Sequence, residues 1–474
     1  MTTLSDLLQE SSIKFGTSGA RGLVEDFTPN ICAAFAMAFV QHGVASLQLA
    51  QQATPVLIGI DNRPSSYEIA QAVATGLAEI GVSYQFHGVL PTPALAFTAM
   101  QLKQPCIMVT GSHIPFERNG LKFYYPHGEI GKQDEEGILR QEIDLPNSLV
   151  LIQLTEQNIA TEAYISRYLD FYSDLNLGGK NIGVYSHSSA GRDIYIRVLK
   201  QLDANVIELG RTEHFVPIDT EAVSTEDQAL AREWVKVHQL DAIISSDGDG
   251  DRPLIADEKG NWLRGDILGL LVSQKLNIEA LSIPVNCNSA VELSGDFSAV
   301  LRTQIGSPFV IEQFVELIAK YESVAGFEAN GGYLLASEIR KDKRHLSALP
   351  TRDALLPILV LLAQLPIQPI SALVKALPKR FTQSGKITPV SNHQGKAFLT
   401  QLSAEPKHTL AKLGVMSEVW KCNQIDGVRC ELHGQDIIHF RMSGNAPEMR
   451  CYVESHSQQA ADELLQKLLD SCKF

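Results

Sequence analysis

The sequence predicts an α/β protein whose sheets are mostly parallel and covered by helices. Four short apolar runs that end in polar or glycine-rich turns have the composition of buried strands: residues 56–61, 106–111, 182–187 and 242–247. Amphipathic stretches with helical spacing lie between them, for example residues 67–79 and 225–238. Strands that alternate with helices form parallel sheets, and ligands bind beyond the carboxyl ends of such strands. Ser112 and a group of three aspartates follow two of the runs.

The length and charge of the chain indicate several domains and an acidic surface. At 474 residues, with 45% hydrophobic residues, the chain is long enough for three or four domains. Its formal net charge of −14 disfavours nucleic acid and anionic membranes as partners. An anionic substrate therefore needs a local excess of basic residues. The motifs described below supply them: Arg21, Arg118, Lys122, Arg252, Arg441 and Arg450.

The sequence carries no sign of a membrane or secretory segment. No stretch approaches the roughly twenty apolar residues of a membrane span, and residues 355–365 predict a buried helix instead. The chain does not start with a basic region followed by an apolar segment. Its seven cysteines are odd in number and contain no Cys-x-x-Cys pair, which favours reduced thiols over a disulfide or zinc framework. We therefore expect a cytoplasmic protein.

Asp247, Asp249 and Asp251 alternate with glycines directly after the apolar run 242–244. Carboxylates on a tight turn suit Mg²⁺, and the glycines let the backbone curl so that the three side chains converge. A solvated acidic turn is the alternative. An EF-hand calcium loop does not fit, because Arg252 stands where that loop needs glycine and a strand precedes the turn. The pattern predicts a magnesium site.

Ser112 stands in the string Thr-Gly-Ser-His-Ile-Pro, residues 110–115, at the exit of a predicted strand. With Gly111 before it, the hydroxyl is expected to be exposed and able to accept or donate a phosphoryl group. An ordinary turn is the alternative for this string taken alone.

The C-terminal string 441–447 combines an arginine, a hydroxyl, an amide and a flexible backbone. Arg441, Ser443, Gly444 and Asn445 can form an anion-binding nest. The alternative is a Gly-Asn turn between two strands, residues 437–442 and 451–454.

Four strings in this order resemble the α-D-phosphohexomutases, the superfamily of phosphomannomutases and phosphoglucomutases: residues 15–22 (FGTSGARG), 110–122 (TGSHIP and NGLK), 245–252 (SSDGDGDR) and 441–450 (RMSGNAPEMR). The resemblance spans almost the whole chain. It implies three similar α/β domains with mixed or parallel sheets, plus a smaller C-terminal α+β domain, around a central cleft. We expect the serine in domain 1–150, the metal loop in 151–260, a sugar-binding loop in 261–370 and a phosphate-binding loop in 371–474.

The resemblance also implies roles for individual residues. Ser112 is carried as a phosphoserine, and its phosphate completes the metal site of the three aspartates. Arg21 and Lys122 lie close to the reacting hydroxyl, and Arg252 adds positive charge. His113 belongs to the motif, where it either takes part in the chemistry or only orients the serine. At the far end, the loop with Arg441, Ser443, Gly444 and Asn445, followed by Arg450, clamps the substrate phosphate.

Sugar selection is expected in residues 326–332, where Glu328 and Asn330 can bind adjacent hydroxyls. Many members of the superfamily have Glu-x-Ser-Gly-His here. This chain has Asn330 in place of the serine and Gly332 in place of the histidine, so the role of that histidine cannot be transferred. His345 is a substitute that the spacing does not require. The Glu-Ala-Asn-Gly string also resembles N-acetylglucosamine phosphate mutases.

The sequence thus predicts a Mg²⁺-dependent phosphohexomutase that interconverts hexose 1-phosphate and hexose 6-phosphate, with mannose first and glucose second. A hexose 1,6-bisphosphate is expected as intermediate and activator, and the protein is expected to be a monomer or weak homodimer. The alternatives are a glucosamine or N-acetylglucosamine phosphate mutase, a non-catalytic sugar-phosphate sensor, and a phosphatase on the same scaffold.

Overall fold

The computed structural model describes residues 2–47, 54–146, 148–443 and 447–472. The chain divides into two compact units. Unit 1 contains residues 1–276 and 330–373, and unit 2 contains residues 277–329 and 374–474. Among the described residues, none of the helices has both the length and the apolar character that crossing a lipid bilayer requires.

The strands and helices alternate through much of the chain. The strands are β1 (Thr2–Thr3), β2 (Lys14–Phe15), β3 (Ala20–Leu23), β4 (Val56–Ile60), β5 (Tyr84–Val89), β6 (Cys106–Val109), β7 (Arg118–Tyr125), β8 (Gly128–Glu129), β9 (Glu142–Ile143), β10 (Asn181–Tyr185), β11 (Asn205–Leu209), β12 (Ala242–Ser246), β13 (Pro253–Ala256), β14 (Ala280–Pro284), β15 (Ala299–Thr303), β16 (Val324–Phe327), β17 (Tyr333–Leu335), β18 (Ile339–Lys341), β19 (Arg344–Leu346), β20 (Leu349–Asp353), β21 (Phe381–Ile387), β22 (Val419–Asn423), β23 (Val428–Leu432), β24 (Ile437–Met442) and β25 (Met449–Ser455). The α-helices are α1 (Leu4–Leu7), α2 (Pro29–Leu47), α3 (Ser66–Glu79), α4 (Thr92–Leu102), α5 (Lys132–Leu139), α6 (Ile159–Phe171), α7 (Arg192–Gln201), α8 (Thr225–His238), α9 (Gly265–Lys275), α10 (Ala290–Leu293), α11 (Ser307–Glu312), α12 (Phe314–Ile318), α13 (Leu355–Leu362), α14 (Ile370–Ala376), α15 (Asn392–Ala404), α16 (Pro406–Lys412) and α17 (Gln458–Ser471).

The first sheet of unit 1 has the strand order β2-β3-β7-β6-β4-β5, and β8 pairs with β7. Strand β4 is parallel to β5 and β6, whereas β6, β7 and β3 pair antiparallel. The apolar strands are buried because helices cover them. Phe35 and Phe39 of α2 pack on Phe123 of β7, with ring centroids 6.1 and 5.1 Å apart. The carboxyl end of β6 leads into the Ser112 loop.

The second sheet of unit 1 has the order β11-β10-β12-β13. Strand β10 is parallel to β11 and β12, and β13 returns antiparallel to β12. The tight turn between β12 and β13 carries the three aspartates. The Asp247 backbone N–H donates to the Arg252 carbonyl at 3.1 Å and closes this turn. Unit 1 also contains the antiparallel pairs β17–β20 and β18–β19.

In unit 2, β14 is parallel to both β15 and β16. A separate antiparallel sheet has the order β21-β25-β24-β23-β22. Apolar side chains of this sheet and of the C-terminal helices form one core, which includes Leu402, Leu410, Phe440 and Leu468.

The predicted α/β class is confirmed, with parallel and antiparallel strands combined in mixed sheets. The helix expected over 67–79 begins at Ser66, and the one over 225–238 has the predicted bounds. The helix expected over 355–365 ends at Leu362. The domain boundaries at 150, 260 and 370 stay predictions.

The cysteines require a correction. Cys422 and Cys430 form a disulfide, so the expectation of seven reduced thiols is wrong. The two residues are directly opposite each other on the antiparallel strands β22 and β23, with a Cα–Cα distance of 4.2 Å. A sequence separation of 8 does not reveal this register, because it depends on where the hairpin turns. The other five cysteines are buried free thiols.

Helices α2 and α3 pack against each other at Gly76. A Cβ built at this position would lie 2.6 Å from both the Cα and the carbonyl oxygen of Ala33. Alanine normally stabilises a helix by about 1 kcal/mol relative to glycine. Here the clash with backbone atoms outweighs that gain, so we expect Gly76→Ala to lower the free energy of unfolding by about 1–3 kcal/mol.

Urea unfolding followed by circular dichroism measures this change. Gly434→Ala is the control, because a Cβ at Gly434 meets no described atom within 4 Å. A Gly76→Ala protein more stable than wild type would contradict the packing of α2 on α3.

Candidate active site around Ser112 and three buried aspartates

Ser112 lies three residues beyond the end of β6, in a left-handed backbone conformation with φ +56°. Such a conformation costs a non-glycine residue roughly 1–3 kcal/mol and must be held by its surroundings. The side chain is fully buried, so the prediction that it is exposed is wrong. It is covered because the aspartate turn packs on it: a Cβ at Gly248 would lie 2.7 Å from the Ser112 carbonyl oxygen. The Ser112 hydroxyl donates to Asp247 Oδ2 at 2.8 Å.

Arg63 holds the Ser112 loop through its main chain. Its guanidinium is buried, lies 3.9 Å from the centroid of the Phe215 ring and donates from Nε to Asp61. The other nitrogens donate to four carbonyl oxygens of the loop. These acceptors belong to Ser112 (2.8 Å), Ile114 (2.5 Å), Pro115 (2.8 Å) and Arg118 (2.9 Å). The sequence analysis missed Arg63; the available signal was the Asp-Asn-Arg string directly after a buried strand.

Asp61 connects this arginine to the serine. Its carboxylate accepts from Ser66 Oγ at 2.6 Å, from Thr110 Oγ1 at 2.7 Å and from Arg63 Nε at 3.1 Å. Thr110 Oγ1 in turn accepts from the Ser112 backbone N–H at 2.8 Å. Burial raises the pKa of Asp61, against the positive charge of Arg63 and the hydroxyl donors. The network fixes both the backbone and the orientation of the serine.

The aspartate turn has the properties of a cation site. Asp247, Asp249 and Asp251 are buried, and one carboxylate oxygen of each lies within 4.8 Å of the others. The Oδ1 atoms of Asp249 and Asp251 have no hydrogen-bond partner among the described residues. Buried carboxylate oxygens without partners are costly, and a small divalent cation is the ligand that satisfies them. The donor set therefore fits Mg²⁺.

Lys122 compensates part of this negative charge. Its ammonium is almost fully buried and donates to Asp249 at 2.6 Å and to Asp251 at 2.7 Å. Burial alone would raise the pKa of Asp249, but Lys122 and the Thr92 hydroxyl outweigh burial and hold it below its usual value. The pKa of Asp247 is raised, first by burial and then by its two carboxylate neighbours. The three carboxylates are thus electrostatically unequal.

Arg352 is a further cation at this site that the sequence analysis missed. It lies on β20, is buried, and donates from Nε to Asp251 Oδ2 at 3.1 Å. Its stem also fills the space beside Gly332, where a Cβ would lie 2.5 Å from Arg352 Cδ. Arg352 can therefore occupy this position only because residue 332 has no side chain. Only the Thr-Arg-Asp string at the end of an apolar strand could have pointed to it.

His113 and Arg252 form a pair next to Ser112. Arg252 Nη1 donates to His113 Nδ1 at 2.9 Å, and the Ser112 hydroxyl oxygen lies 3.3 Å from the same nitrogen. The positive charge of Arg252, then burial, lowers the pKa of His113 to about 2. The imidazole is therefore neutral at physiological pH, with Nδ1 as an acceptor, which favours orientation of its neighbours over proton donation.

Arg21 completes a group of basic side chains in unit 1. It lies on β3 opposite Gly120 of β7. Burial, and then the charges of Arg252 and Arg352, lower the pKa of Arg21 to about 10. The positive charges of Arg252 and Arg352 thus act on Arg21, and an anion such as phosphate would reduce the repulsion between these side chains.

The predicted sugar-binding loop follows β16. Glu328 is buried in unit 2. Asn330 belongs to unit 1, where its side-chain Oδ1 accepts from the Gly332 N–H at 2.9 Å and its carbonyl accepts from Thr220. His345, the possible substitute for the missing histidine, lies on β19 opposite Arg340.

The predicted phosphate clamp lies in unit 2 between β24 and β25, which are the two strands expected around a turn. Arg441 and Arg450 are directly opposite each other. Arg441 contacts Asp426 at 3.4 Å, and Arg450 contacts Glu448 at 2.7 Å. The Ser443 N–H donates to the Glu448 carbonyl at 2.9 Å. Gly444 and Asn445 lie outside the described residues.

Unit 1 thus brings together seven of the eight residues predicted for catalysis and metal binding. Hydrogen bonds or ion pairs connect Ser112, His113, Lys122, Arg252, Asp247, Asp249 and Asp251. Their roles stay predictions, as do those of Arg21, Glu328, Asn330, Arg441, Ser443 and Arg450.

We expect Asp249→Asn to weaken Mg²⁺ binding at least about tenfold, or 1.4 kcal/mol. The amide removes one negative charge and places an NH₂ group either towards the cation or towards the Lys122 ammonium. Isothermal titration calorimetry with MgCl₂ measures the affinity. Asp241→Asn is the control, because Asp241 precedes the first residue of β12 and lies at the end of the strand away from the aspartate turn. Unchanged Mg²⁺ binding by Asp249→Asn would exclude the aspartate turn as the metal site.

Comparison with known proteins shows which family the chain belongs to. Residues 12–144 match the sequence profile of phosphoglucomutase/phosphomannomutase alpha/beta/alpha domain I, and residues 162–260 match that of domain II. The chain is 49% identical over 469 residues to a phosphomannomutase from Salmonella muenchen, covering 99% of this chain and 97% of the relative. It is 40% identical over 464 residues to a phosphomannomutase from Sinorhizobium fredii, covering 95% and 97%.

Solved structures share the fold. A phosphoglucomutase/phosphomannomutase family protein from Burkholderia thailandensis superposes with a TM-score of 0.75 at 19% identity, covering 99% of this chain and 97% of the other. An N-acetylphosphoglucosamine mutase from Aspergillus fumigatus, solved with GlcNAc-6P and magnesium, gives 0.61 at 12% identity, with 99% and 97% coverage. On the full-length sequence identity and both domain profiles, the chain belongs to the phosphoglucomutase/phosphomannomutase family of the α-D-phosphohexomutase superfamily.

Proposed function

We propose that this protein interconverts hexose 1-phosphate and hexose 6-phosphate, with mannose as the preferred sugar. The observation that carries the proposal is the buried Ser112 hydroxyl, held 2.8 Å from Asp247 inside a group of cations. The preference for mannose rests on the relatives. Two phosphomannomutases are 49% and 40% identical to the chain, whereas a phosphoglucosamine mutase from Verminephrobacter eiseniae is 28% identical.

In the proposed reaction, Ser112 carries the phosphoryl group. A hydroxyl oxygen of the hexose phosphate forms a new P–O bond as the bond to Ser112 Oγ breaks, and the hydroxyl proton replaces the phosphoryl group on the serine. The hexose 1,6-bisphosphate then turns around, and its other phosphate returns to Ser112. The transferred group spreads negative charge over its oxygens, so positioned cations account for most of the catalysis.

The residues of unit 1 supply these cations from fixed positions. Lys122, Arg252 and Arg352 each contact or approach the aspartates, and all three are largely buried. Arg63 and Asp61 hold the serine loop, so little reorganisation is needed at the moment of transfer. Asp247, Asp249 and Asp251 would hold Mg²⁺, which supplies Lewis-acid stabilisation of the phosphoryl oxygens. The neutral His113 orients Arg252 and the hydroxyl.

The remaining parts of the proposal concern the substrate and its surroundings. Glu328 and Asn330 bind sugar hydroxyls, and Arg441, Ser443, Gly444, Asn445 and Arg450 bind the phosphate that is not transferred. A hexose 1,6-bisphosphate primes the serine. The protein works as a monomer or weak homodimer, and its cytoplasmic location stays a prediction.

A coupled assay across the 1-phosphates of mannose, glucose, glucosamine and N-acetylglucosamine tests the substrate. We expect the highest kcat/KM with mannose 1-phosphate and a lower one with glucose 1-phosphate. A higher value with either amino sugar would reassign the protein to that class of mutase. Sustained release of inorganic phosphate would indicate a phosphatase, and binding without turnover would indicate a sensor.

Ser112→Ala tests the phosphoryl carrier. Because alanine cannot accept the group, we expect turnover to fall at least about 10³-fold. Intact-mass measurement after incubation with a hexose 1,6-bisphosphate should find one phosphoryl group on wild type and none on the variant. Ser148→Ala, at an exposed serine, is the control. Near-normal isomerisation by Ser112→Ala would end the phosphoserine mechanism.

Gly332→Ala tests the role of Arg352. The added methyl group cannot coexist with the stem of Arg352, which must then leave Asp251. We expect kcat to fall at least about tenfold while circular dichroism stays unchanged.

A double-mutant cycle isolates the cause. In an Arg352→Ala background the space beside residue 332 is open, so Gly332→Ala should have no further effect on kcat. Equal losses in both backgrounds would mean that Gly332 acts independently of Arg352.

A further inference from the structure

A cavity of about 350 Å³ lies within unit 1, among residues that the proposed reaction does not use. It is lined by helix α4, helix α6 and the segment that runs from the β18–β19 hairpin towards β20. Its basic lining residues are Arg167, Lys343, Arg344 and His345. Asp170 is the one carboxylate among the described residues that line it. The cavity is therefore a local excess of positive charge on a chain whose formal net charge is −14.

Arg167 is the most informative of these side chains. It is 7% exposed, and its guanidinium lies 4.7 Å from the centroid of the Phe97 ring. Both Nη atoms donate to Ser347 at 2.7 Å, one to the hydroxyl and one to the carbonyl. Its Nε has no hydrogen-bond partner among the described residues, and no described carboxylate pairs with the guanidinium. The buried Asp353 acts on Arg167 only from beyond ion-pair distance, so the Nε is the unsatisfied group. A buried donor without a partner is costly, and an anionic ligand would satisfy it.

The neighbouring basic side chains differ in whether a carboxylate of the protein already pairs with them. Arg344 is paired with Asp174 and Asp342, outside the cavity lining. Lys343 is exposed and forms no ion pair with a described residue. The Lys343 ammonium and the Arg167 Nε are thus both able to donate hydrogen bonds to one ligand in the cavity. The Phe97 ring supplies an apolar surface for the same ligand.

We propose that this cavity binds a small organic phosphate monoester. A dianion with several acceptor oxygens matches a lysine, a buried guanidinium and an imidazole better than a single carboxylate does. The volume exceeds that of a phosphate ion alone and lies near the lower end of small-molecule sites. The phosphate contacts Arg167 and Lys343, and the organic body lies against Phe97. The proposal does not depend on the function of the Ser112 site.

Isothermal titration calorimetry with glycerol 3-phosphate, inorganic phosphate and glycerol tests the proposal. Neither phosphate probe carries a hexose, and the two variants described next assign the binding to this cavity and not to the proposed phosphate clamp. We expect saturable one-to-one binding of glycerol 3-phosphate, weaker binding of inorganic phosphate and none of glycerol. Equal affinity for glycerol 3-phosphate and inorganic phosphate would contradict a role for the organic body of the ligand. The absence of saturable binding by either would overturn the whole proposal.

Charge reversal on the hairpin locates the site. Lys343→Glu should weaken glycerol 3-phosphate binding at least about tenfold, because it places a carboxylate in the cavity. Lys341→Glu makes the same change of net charge on the same hairpin, but Lys341 does not line the cavity, so its effect should be less than about twofold. Both variants should keep wild-type hexose phosphate turnover, which verifies folding. Equal weakening by the two variants, or no weakening by Lys343→Glu, would overturn the proposed location.

Discussion

The burial of three carboxylates in one tight turn is the constraint on which the rest of unit 1 depends. Asp247, Asp249 and Asp251 come within 4.8 Å of one another with almost no exposure to solvent. Like charges at that separation are strongly unfavourable in a low-dielectric interior. Lys122 and Arg352 offset this repulsion by ion pairs from two other strands. The charges of one turn therefore connect β7 and β20 to β12 within unit 1.

The same constraint explains why the Ser112 hydroxyl is covered. The aspartate turn reaches the Ser112 loop only because Gly248 has no side chain. The loop in turn adopts a left-handed backbone at Ser112, which is maintained by hydrogen bonds to Thr110 and Arg63. Strain and close approach occur together here, as is common at functional sites. The backbone of the serine loop is thus fixed by contacts within the protein.

Local patterns in the sequence were sufficient for the strands that precede the serine and the aspartates. Ser112 and the aspartates were predicted as site residues because each follows an apolar run closely, and α8 was predicted with its observed bounds. Arg63 and Arg352 were not, because they act on residues 49 and 101 positions away in the chain. The exposure of Ser112 and the state of Cys422 and Cys430 were predicted wrongly for a related reason. Both depend on packing between separate segments, which neither composition nor periodicity encodes.

The hydrogen bonds of Arg63 have a consequence for how the serine loop can evolve. All four acceptors on the loop are main-chain carbonyls, so the arginine recognises the path of the chain and not the identity of its side chains. Phe116, between two of these acceptors, is largely exposed and adds nothing to that recognition. Substitutions at such positions leave the anchor intact, whereas inserting or deleting one residue would move carbonyls out of reach of the guanidinium. The side chains of this loop can therefore change during evolution, but the number of its residues cannot.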